Sequence, residues 1–213
     1  MAERITVEIM ADMLRGAVSE IRENHELLGR LDSVGGDGDH GTTMLRAMGA
    51  VEKAVGAAGG GLKALLHDVG WAVLGADGGS TGPLFGMLFM GMSDALGEEE
   101  GLDPALLAAV FRSGLASVRA QTKAQPGDKT MIDALVPAVE ALCAAAEGGA
   151  EAAEMLRLAA AAARAGAEAT SALQARFGRA RNIKEQSIGT QDPGATSVSL
   201  IFKGFHKGAE QHA

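Results

Sequence analysis

The chain has 213 residues, long enough for one domain with a substantial core, and its formal charge of −8 argues against a nucleic-acid-binding surface. A single cysteine, Cys143, excludes a disulfide framework and any cysteine-rich metal site; it falls in an Ala-rich helical pattern and reads as an inert packing residue. Apolar residues make up 47% but aromatics only 3%, with no tyrosine, so the core must be built from Ala, Leu, Val and Met, which suits close helix packing.

The charged N-terminal stretch M-A-E-R-I-T-V lacks the apolar centre of a secretory leader. The longest apolar runs stop well short of the roughly 20 residues that a spanning helix needs. The expectation is a cytoplasmic protein with neither membrane nor nucleic acid as a partner.

Apolar residues at Val7, Met10, Leu14, Val18 and Ile21 predict a first helix over 6–24. A polar loop at 25–41 precedes a second helix carrying Met44, Ala47, Met48, Val51 and Val55 on one face, stopped by three glycines at 59–61. A third helix covers 62–74, and a fourth runs over 83–96 with Pro83 in its first turn, where a missing N–H is harmless. Asp103-Pro104, an N-cap followed by a first-turn proline, opens a fifth helix to about 121. A sixth spans 130–146, a long Ala-rich seventh ends near 177, and Asp192-Pro193 opens an eighth that runs to about 209. Runs of β-branched residues with period 2 are absent. The predicted fold is all-α: eight helices, no sheet, a single domain over 1–213 in an antiparallel up-and-down barrel or bundle.

Up-and-down helices alternate their ends, so the connections at 25–41, 75–82, 122–129 and 178–191 emerge together. These four are also the glycine-rich and polar ones, while the other three carry only Gly and Glu filler. Unusual chemistry therefore gathers at one end. Three of these loops run into helix N-termini (Gly41-Thr42, Ser80-Thr81-Gly82 and Asp192-Pro193-Gly194), where free N–H groups and the positive dipole end favour phosphate oxygens.

The densest chemistry is D-S-V-G-G-D-G-D-H-G-T-T at 32–43. Asp32, Asp37 and Asp39 lie within eight residues and need either a cation or full hydration. The interleaved glycines let the backbone wrap tightly, at an entropic cost that a merely solvated loop does not require. Gly36, Gly38 and Gly41 satisfy G-x-G-x-x-G in letter, but no strand precedes them and aspartates would face the pyrophosphate, so a dinucleotide site is rejected. An EF-hand needs glutamate at the twelfth loop position, which is Thr43 here; a Walker-type G-x-x-x-x-G-K-[ST] does not occur. A few carboxylates that would share their ion with phosphate and water suit magnesium best.

Four segments carry a family resemblance: G-D-G-D-H-G-T-T-M, G-G-S-T-G-P-L-F-G, K-A-Q-P-G-D-K-T-M-I-D-A-L-V-P-A and E-Q-S-I-G-T-Q-D-P-G-A-T-S. They resemble the nucleotide-binding L subunit of dihydroxyacetone kinases, a domain that also forms the C-terminal part of single-chain ATP-dependent enzymes. The resemblance covers nearly the whole chain, in order. It implies an eight-helix barrel with ADP or ATP at one end and two Mg²⁺ ions held by Asp32, Asp37 and Asp39. It further implies that His40, Gly41, Thr42 and Thr43 line the phosphates, with Ser80 and Thr81 as a second phosphate loop. Thr122 and Met131 then surround base and ribose, Arg179 stands on a lid-like loop, and Asp192, Pro193 and Gly194 form the last adenine-side turn. Thr43 stands where asparagine is expected in many phosphotransferase-linked subunits, and Thr122 where glycine is common.

No residue is assigned as a catalytic base; His40, Lys129 and Arg179 are candidate charge stabilisers. The resemblance implies transfer of a phosphoryl group to dihydroxyacetone or a related ketose on a separate K subunit. The resemblance leaves two donors open, a phosphohistidine-carrying phosphotransferase subunit that rephosphorylates bound ADP or exchangeable ATP, with G-T-T closer to the ATP-dependent single-chain kinases, and a homodimer is a possible assembly. The alternatives from other classes are a nucleotide- or metal-sensing coregulator of a transcription factor and, more weakly, a magnesium-dependent phosphatase.

Overall fold

The computed structural model describes residues 4–76, 79 and 81–212. Among these, eight α-helices follow in order: α1 (Val7–Asp32), α2 (His40–Ala57), α3 (Leu62–Leu74), α4 (Thr81–Asp94), α5 (Pro104–Gln121), α6 (Ile132–Glu147), α7 (Ala152–Ala169) and α8 (Pro193–Glu210). Each packs on its neighbours in the chain, and α8 returns along α1, so the ring closes into the expected all-α barrel. Thr6, Asp103 and Asp192 cap α1, α5 and α8 by accepting backbone N–H bonds at 3.4, 2.8 and 2.7 Å. No described helix is long and apolar enough to cross a membrane.

The barrel axis is filled by side chains, not by solvent. Phe111 of α5 meets Phe202 and Phe205 of α8 with ring centroids 5.5 and 6.0 Å apart, and the last two lie 5.8 Å from each other. All three are fully buried. Because α5 and α8 are not neighbours in the ring, these contacts cross its interior and compensate for the scarcity of aromatic residues elsewhere. Cys143 is buried, with Sγ 3.8 Å from the Ala108 carbonyl, as a packing residue should be.

Several boundaries differ from expectation. The α1 helix continues eight residues past the predicted end, because Leu28, fully buried, extends the stripe of Val18 and Ile21. This shortens the first site loop to residues 33–39 and places Asp32 on the helix itself. Helix α7 stops at Ala169 instead of near Phe177: the Thr170 hydroxyl donates to the Ala167 carbonyl at 2.6 Å, and a 3-10 turn, Thr170–Ala172, follows. An alanine run carries no signal for such a stop. A second 3-10 segment, Arg179–Ser187, occupies the loop that had no predicted structure. The expectation of no sheet is corrected by one short antiparallel pair, β1 (Ile5–Thr6) with β2 (Gly101–Leu102), in which Ile5 faces Leu102. Two residues are too few to show a period-2 pattern.

The seam that closes the ring depends on glycine. A Cβ on Gly204 would lie 2.3 Å from the Ala17 nitrogen, and one on Gly208 would lie 2.3 Å from the Asp12 carbonyl oxygen. Both approaches are to backbone, which cannot give way. We therefore expect Gly204→Ala to lower the unfolding free energy by at least about 1–3 kcal/mol, the usual cost of overpacking. Gly49→Ala, on an open face of α2 with nothing within 4 Å, should raise it by about 0.5–1 kcal/mol. Urea midpoints of the two variants check this; equal effects would refute the seam.

Candidate functional site

The α1 helix ends at Asp32, and the chain reverses within seven residues before α2 begins at His40. The turn is tight: the Gly36 N–H donates to the Asp32 carbonyl at 2.6 Å, and Gly38 adopts a left-handed φ of 77°. A Cβ on Gly36 would lie 2.2 Å from Asp32 Oδ1, so only glycine lets the carboxylate fold back over the loop. The outcome is a cluster in which one oxygen each of Asp32, Asp37 and Asp39 lies within 4.8 Å of the others. Asp32 is half-buried; Asp37 and Asp39 are exposed.

Charge compensation comes from the opposite side of the mouth. Arg179, the first residue of the Arg179–Ser187 segment, pairs its guanidinium with Asp37 Oδ2. Burial alone would raise the Asp37 carboxyl, but the Arg179 guanidinium more than offsets this and holds it below its ordinary value. One guanidinium against three carboxylates leaves an excess of negative charge. The donor set is oxygen only and partly open to water, which fits a hard divalent cation such as Mg²⁺ that keeps part of its hydration.

Next to the cluster lies an open helix N-terminus. Asp39 occupies the N-cap of α2 without a side-chain cap bond, and the His40 N–H reaches Asp32 Oδ2 only at 3.4 Å. The N–H groups of Gly41 and Thr42 find no acceptor among the described residues. The His40 ring is pinned between two helices: Nε2 lies 2.8 Å from Ser197 Oγ, and Nδ1 lies 3.4 Å from Thr81 Oγ1. Because Ser197 donates its hydroxyl proton to the Pro193 carbonyl at 3.0 Å, it accepts from Nε2–H, which leaves Nδ1 as the acceptor for Thr81. Burial lowers the His40 value, against the raising influence of Asp32 and Asp39, so the ring is held neutral with both nitrogens engaged by Ser197 and Thr81.

These groups border a cavity of about 530 Å³. Its wall takes Asp32, Asp39 and His40 from the first loop and Thr81 from the second. Thr122, Lys129 and Met131 come from the third, and Arg179, Asp192, Pro193 and Gly194 from the fourth. The four connections predicted to emerge together do converge. Leu84, Phe85, Met131, Ile132 and Phe177 add apolar lining suited to a flat ring.

Not every expected residue reaches the wall. Gly41 is held against α1, where a Cβ would lie 2.0 Å from the His25 carbonyl oxygen. The Thr42 residue is exposed, while the buried Thr43 hydroxyl accepts from Arg46 at 3.2 Å. Gly41 and Thr42 can offer backbone N–H groups, whereas the Thr43 N–H already donates to the Asp39 carbonyl at 2.9 Å, and none of the three lines the cavity. Asp37 joins the carboxylate cluster without lining the cavity. Ser80 lies outside the described residues. The largest correction concerns Lys129: its ammonium donates to the Thr170 carbonyl at 2.6 Å and to the Thr190 carbonyl, so it is not a free charge aimed at a ligand.

Sequence reasoning missed Phe177, Thr130 and Asp133. Asp133, in the first turn of α6, reaches back to accept from Gly127 at 2.5 Å and Thr130 at 2.8 Å, and so shapes the 122–131 loop. An acidic residue in a first helical turn just after a P-G-D-K loop was the available signal.

A family profile described as the DAK2 domain matches residues 34–207. The chain is 40% identical, over 179 residues, to the PEP-dependent dihydroxyacetone kinase ADP-binding subunit DhaL of Escherichia coli, covering 84% of this chain and 85% of that subunit. It is 34% identical over 203 residues to a D-erythrulose kinase of Mycolicibacterium smegmatis, covering 94% of this chain but 35% of that enzyme. Among solved structures, the dihydroxyacetone kinase of C. freundii in complex with AMP-PNP and Mg²⁺ superposes with a TM-score of 0.73 at 27% identity, covering 99% of this chain and 35% of that one. The chain thus spans most of an L-type subunit and about a third of the longer kinases.

Asp192 provides a pH test of this geometry. Burial pushes its carboxyl up to about 7, against the Ala195 N–H and the Lys129 ammonium. A carboxyl whose folded value lies above its unfolded value near 3.8 stabilises the fold at low pH and loses that contribution as pH rises through 7. We therefore expect the stability difference between wild type and Asp192→Asn to move in favour of wild type by on the order of 2 kcal/mol from pH 8 to pH 5. Urea denaturation at the two pH values checks this; a pH-independent difference would contradict it.

Proposed function

The chain belongs to the DAK2 domain family, and on that premise we propose that it is the adenine-nucleotide-binding subunit of a kinase for dihydroxyacetone or a related small ketose. The observation that carries this reading is a cluster of three carboxylates, two of them lining the cavity, beside an open helix N-terminus and apolar lining. That combination suits a nucleotide whose phosphates reach the protein partly through metal. The similarity to an ADP-binding subunit and to a structure with AMP-PNP and Mg²⁺ supports it.

In this reading Asp32, Asp37 and Asp39 hold two Mg²⁺ ions, which supply charge neutralisation on the polyphosphate. The α2 N-terminus and the Thr81 backbone N–H at the start of α4 donate hydrogen bonds to phosphate oxygens, and neutral His40, held by Ser197 and Thr81, lines the phosphates without charge. Thr122, Met131 and the Asp192-Pro193-Gly194 turn enclose base and ribose, and Ser80 completes the second phosphate loop. Arg179, on the far side of the mouth, turns its guanidinium from Asp37 toward the transferring phosphoryl group. Phosphoryl transfer requires positioning and charge stabilisation more than covalent participation by protein, and these residues offer both.

The ketose binds elsewhere. This chain corresponds to about a third of the D-erythrulose kinase that it resembles, which supports an acceptor site on a separate K subunit or domain. The phosphoryl donor in this reading is either a phosphohistidine-carrying phosphotransferase subunit that recharges bound ADP, a choice supported by the similarity to a PEP-dependent ADP-binding subunit, or exchangeable ATP. The location that goes with this reading is the cytoplasm.

Two measurements test the proposal. Calorimetry of the purified chain should show ADP binding only with Mg²⁺, and Asp37→Ala should weaken it by at least about 100-fold, or about 2.7 kcal/mol; metal-independent binding would refute the site. The chain alone should not phosphorylate dihydroxyacetone, whereas adding a K-type subunit and a phosphoryl donor should give turnover. Robust turnover without a partner would refute the division of labour.

A further inference from the structure

Lys129 is the only buried cation among the described residues, at 4% exposure, and its backbone takes a left-handed φ of 61°, a conformation unfavourable to a residue with a Cβ. What holds it there is a specific set of bonds. Its ammonium donates to the Thr170 carbonyl at the end of α7 and to the Thr190 carbonyl just before α8. Around that point the same two strands of chain are stitched twice more: Gly189 N–H donates to the Ser171 carbonyl, and Asp192 N–H donates to Thr170 Oγ1, both at 2.8 Å. Asp133 and Asp192 provide the nearby negative charge.

Two carbonyls converging on one buried point repel each other unless a compact donor lies between them. The segment that ends in Thr190 and Asp192 connects the Arg179–Ser187 turn to the α8 N-terminus, so both the lid-side and the base-side walls of the cavity depend on where it lies. We infer that Lys129 is a positioning residue, setting the base-side wall by fixing residues 189–192 against the end of α7, and that it does not act on the transferring phosphoryl group. This rests on the adenine-nucleotide reading given above.

The test uses the full chain as wild type, Lys129→Met and Lys129→Arg, with Mg²⁺ throughout. Dissociation constants are measured for ADP and for tripolyphosphate, a probe with phosphates but no base, together with amide hydrogen exchange over 179–194. Lys129→Met should raise the ADP constant about tenfold or more, leave the tripolyphosphate constant within about twofold, and speed exchange over 179–194. Lys129→Arg keeps the charge, but its broad fork does not fit between two carbonyls that meet at one ammonium, so ADP should still weaken several-fold with tripolyphosphate unchanged. This arm decides the matter if Lys129→Met fails to fold. Equal loss for both ligands, full rescue by arginine, or wild-type exchange would overturn the inference. A wild-type chain that binds neither ligand would instead refute the nucleotide reading itself.

Discussion

The constraint on which the site depends is mutual repulsion among three carboxylates at the mouth of a helical barrel. Asp32, Asp37 and Asp39 are brought together by a seven-residue reversal between two long helices, and only Arg179 among the described residues offsets them directly. Such an arrangement is unfavourable in isolation and persists because the surrounding helices are held by far more extensive packing. In the function proposed above, a ligand completes the structure at this point. The excess negative charge defines what that ligand must bring: positive charge, hard enough to suit oxygen, and able to retain water or phosphate.

The barrel makes this frustration tolerable by separating two tasks. Its closure relies on backbone-to-backbone proximity at the α1–α8 seam and on phenylalanines meeting across the axis. The chemistry sits on the connections at one end, where loop backbone can adopt left-handed and strained geometry without disturbing the core. Within that end, buried polar bonds fix the walls: His40 is held by Ser197 and Thr81, the 122–131 loop by Asp133, and the final connection by Lys129 and Thr170. The outermost groups, Arg179 and the exposed aspartates, are left accessible.

Much of this was legible in the chain. Glycine stops and the Asp103-Pro104 cap mark the bounds of α3 and α5, and the alternation of helix ends is enough to bring the four polar loops together. The aspartate cluster was visible because aspartates so close in sequence cannot be far apart in space. Less legible were features that depend on what one segment does to another. The role of Lys129 could not be seen, since a loop lysine looks the same whether it meets solvent or two carbonyls 41 and 61 residues away. The GxGxxG-like spacing around Gly41 does not reveal that its lack of a Cβ also serves the crossing of α1 and α2. The Gly204-x-x-x-Gly208 spacing that lets α8 approach α1 was present in the sequence, but its partner, Gly16, lies almost a full chain length away. The end of α7 lay hidden in an alanine run that is equally compatible with stopping or continuing.

The central claim is that the aspartate cluster binds divalent ions that in turn bind a polyphosphate. Anomalous diffraction from crystals grown with Mn²⁺ and ADP tests it most directly. The account predicts two metal peaks between Asp32, Asp37, Asp39 and the phosphates, with Arg179 displaced from Asp37. Nucleotide bound in the cavity with no metal at these carboxylates, or metal bound elsewhere, would contradict it.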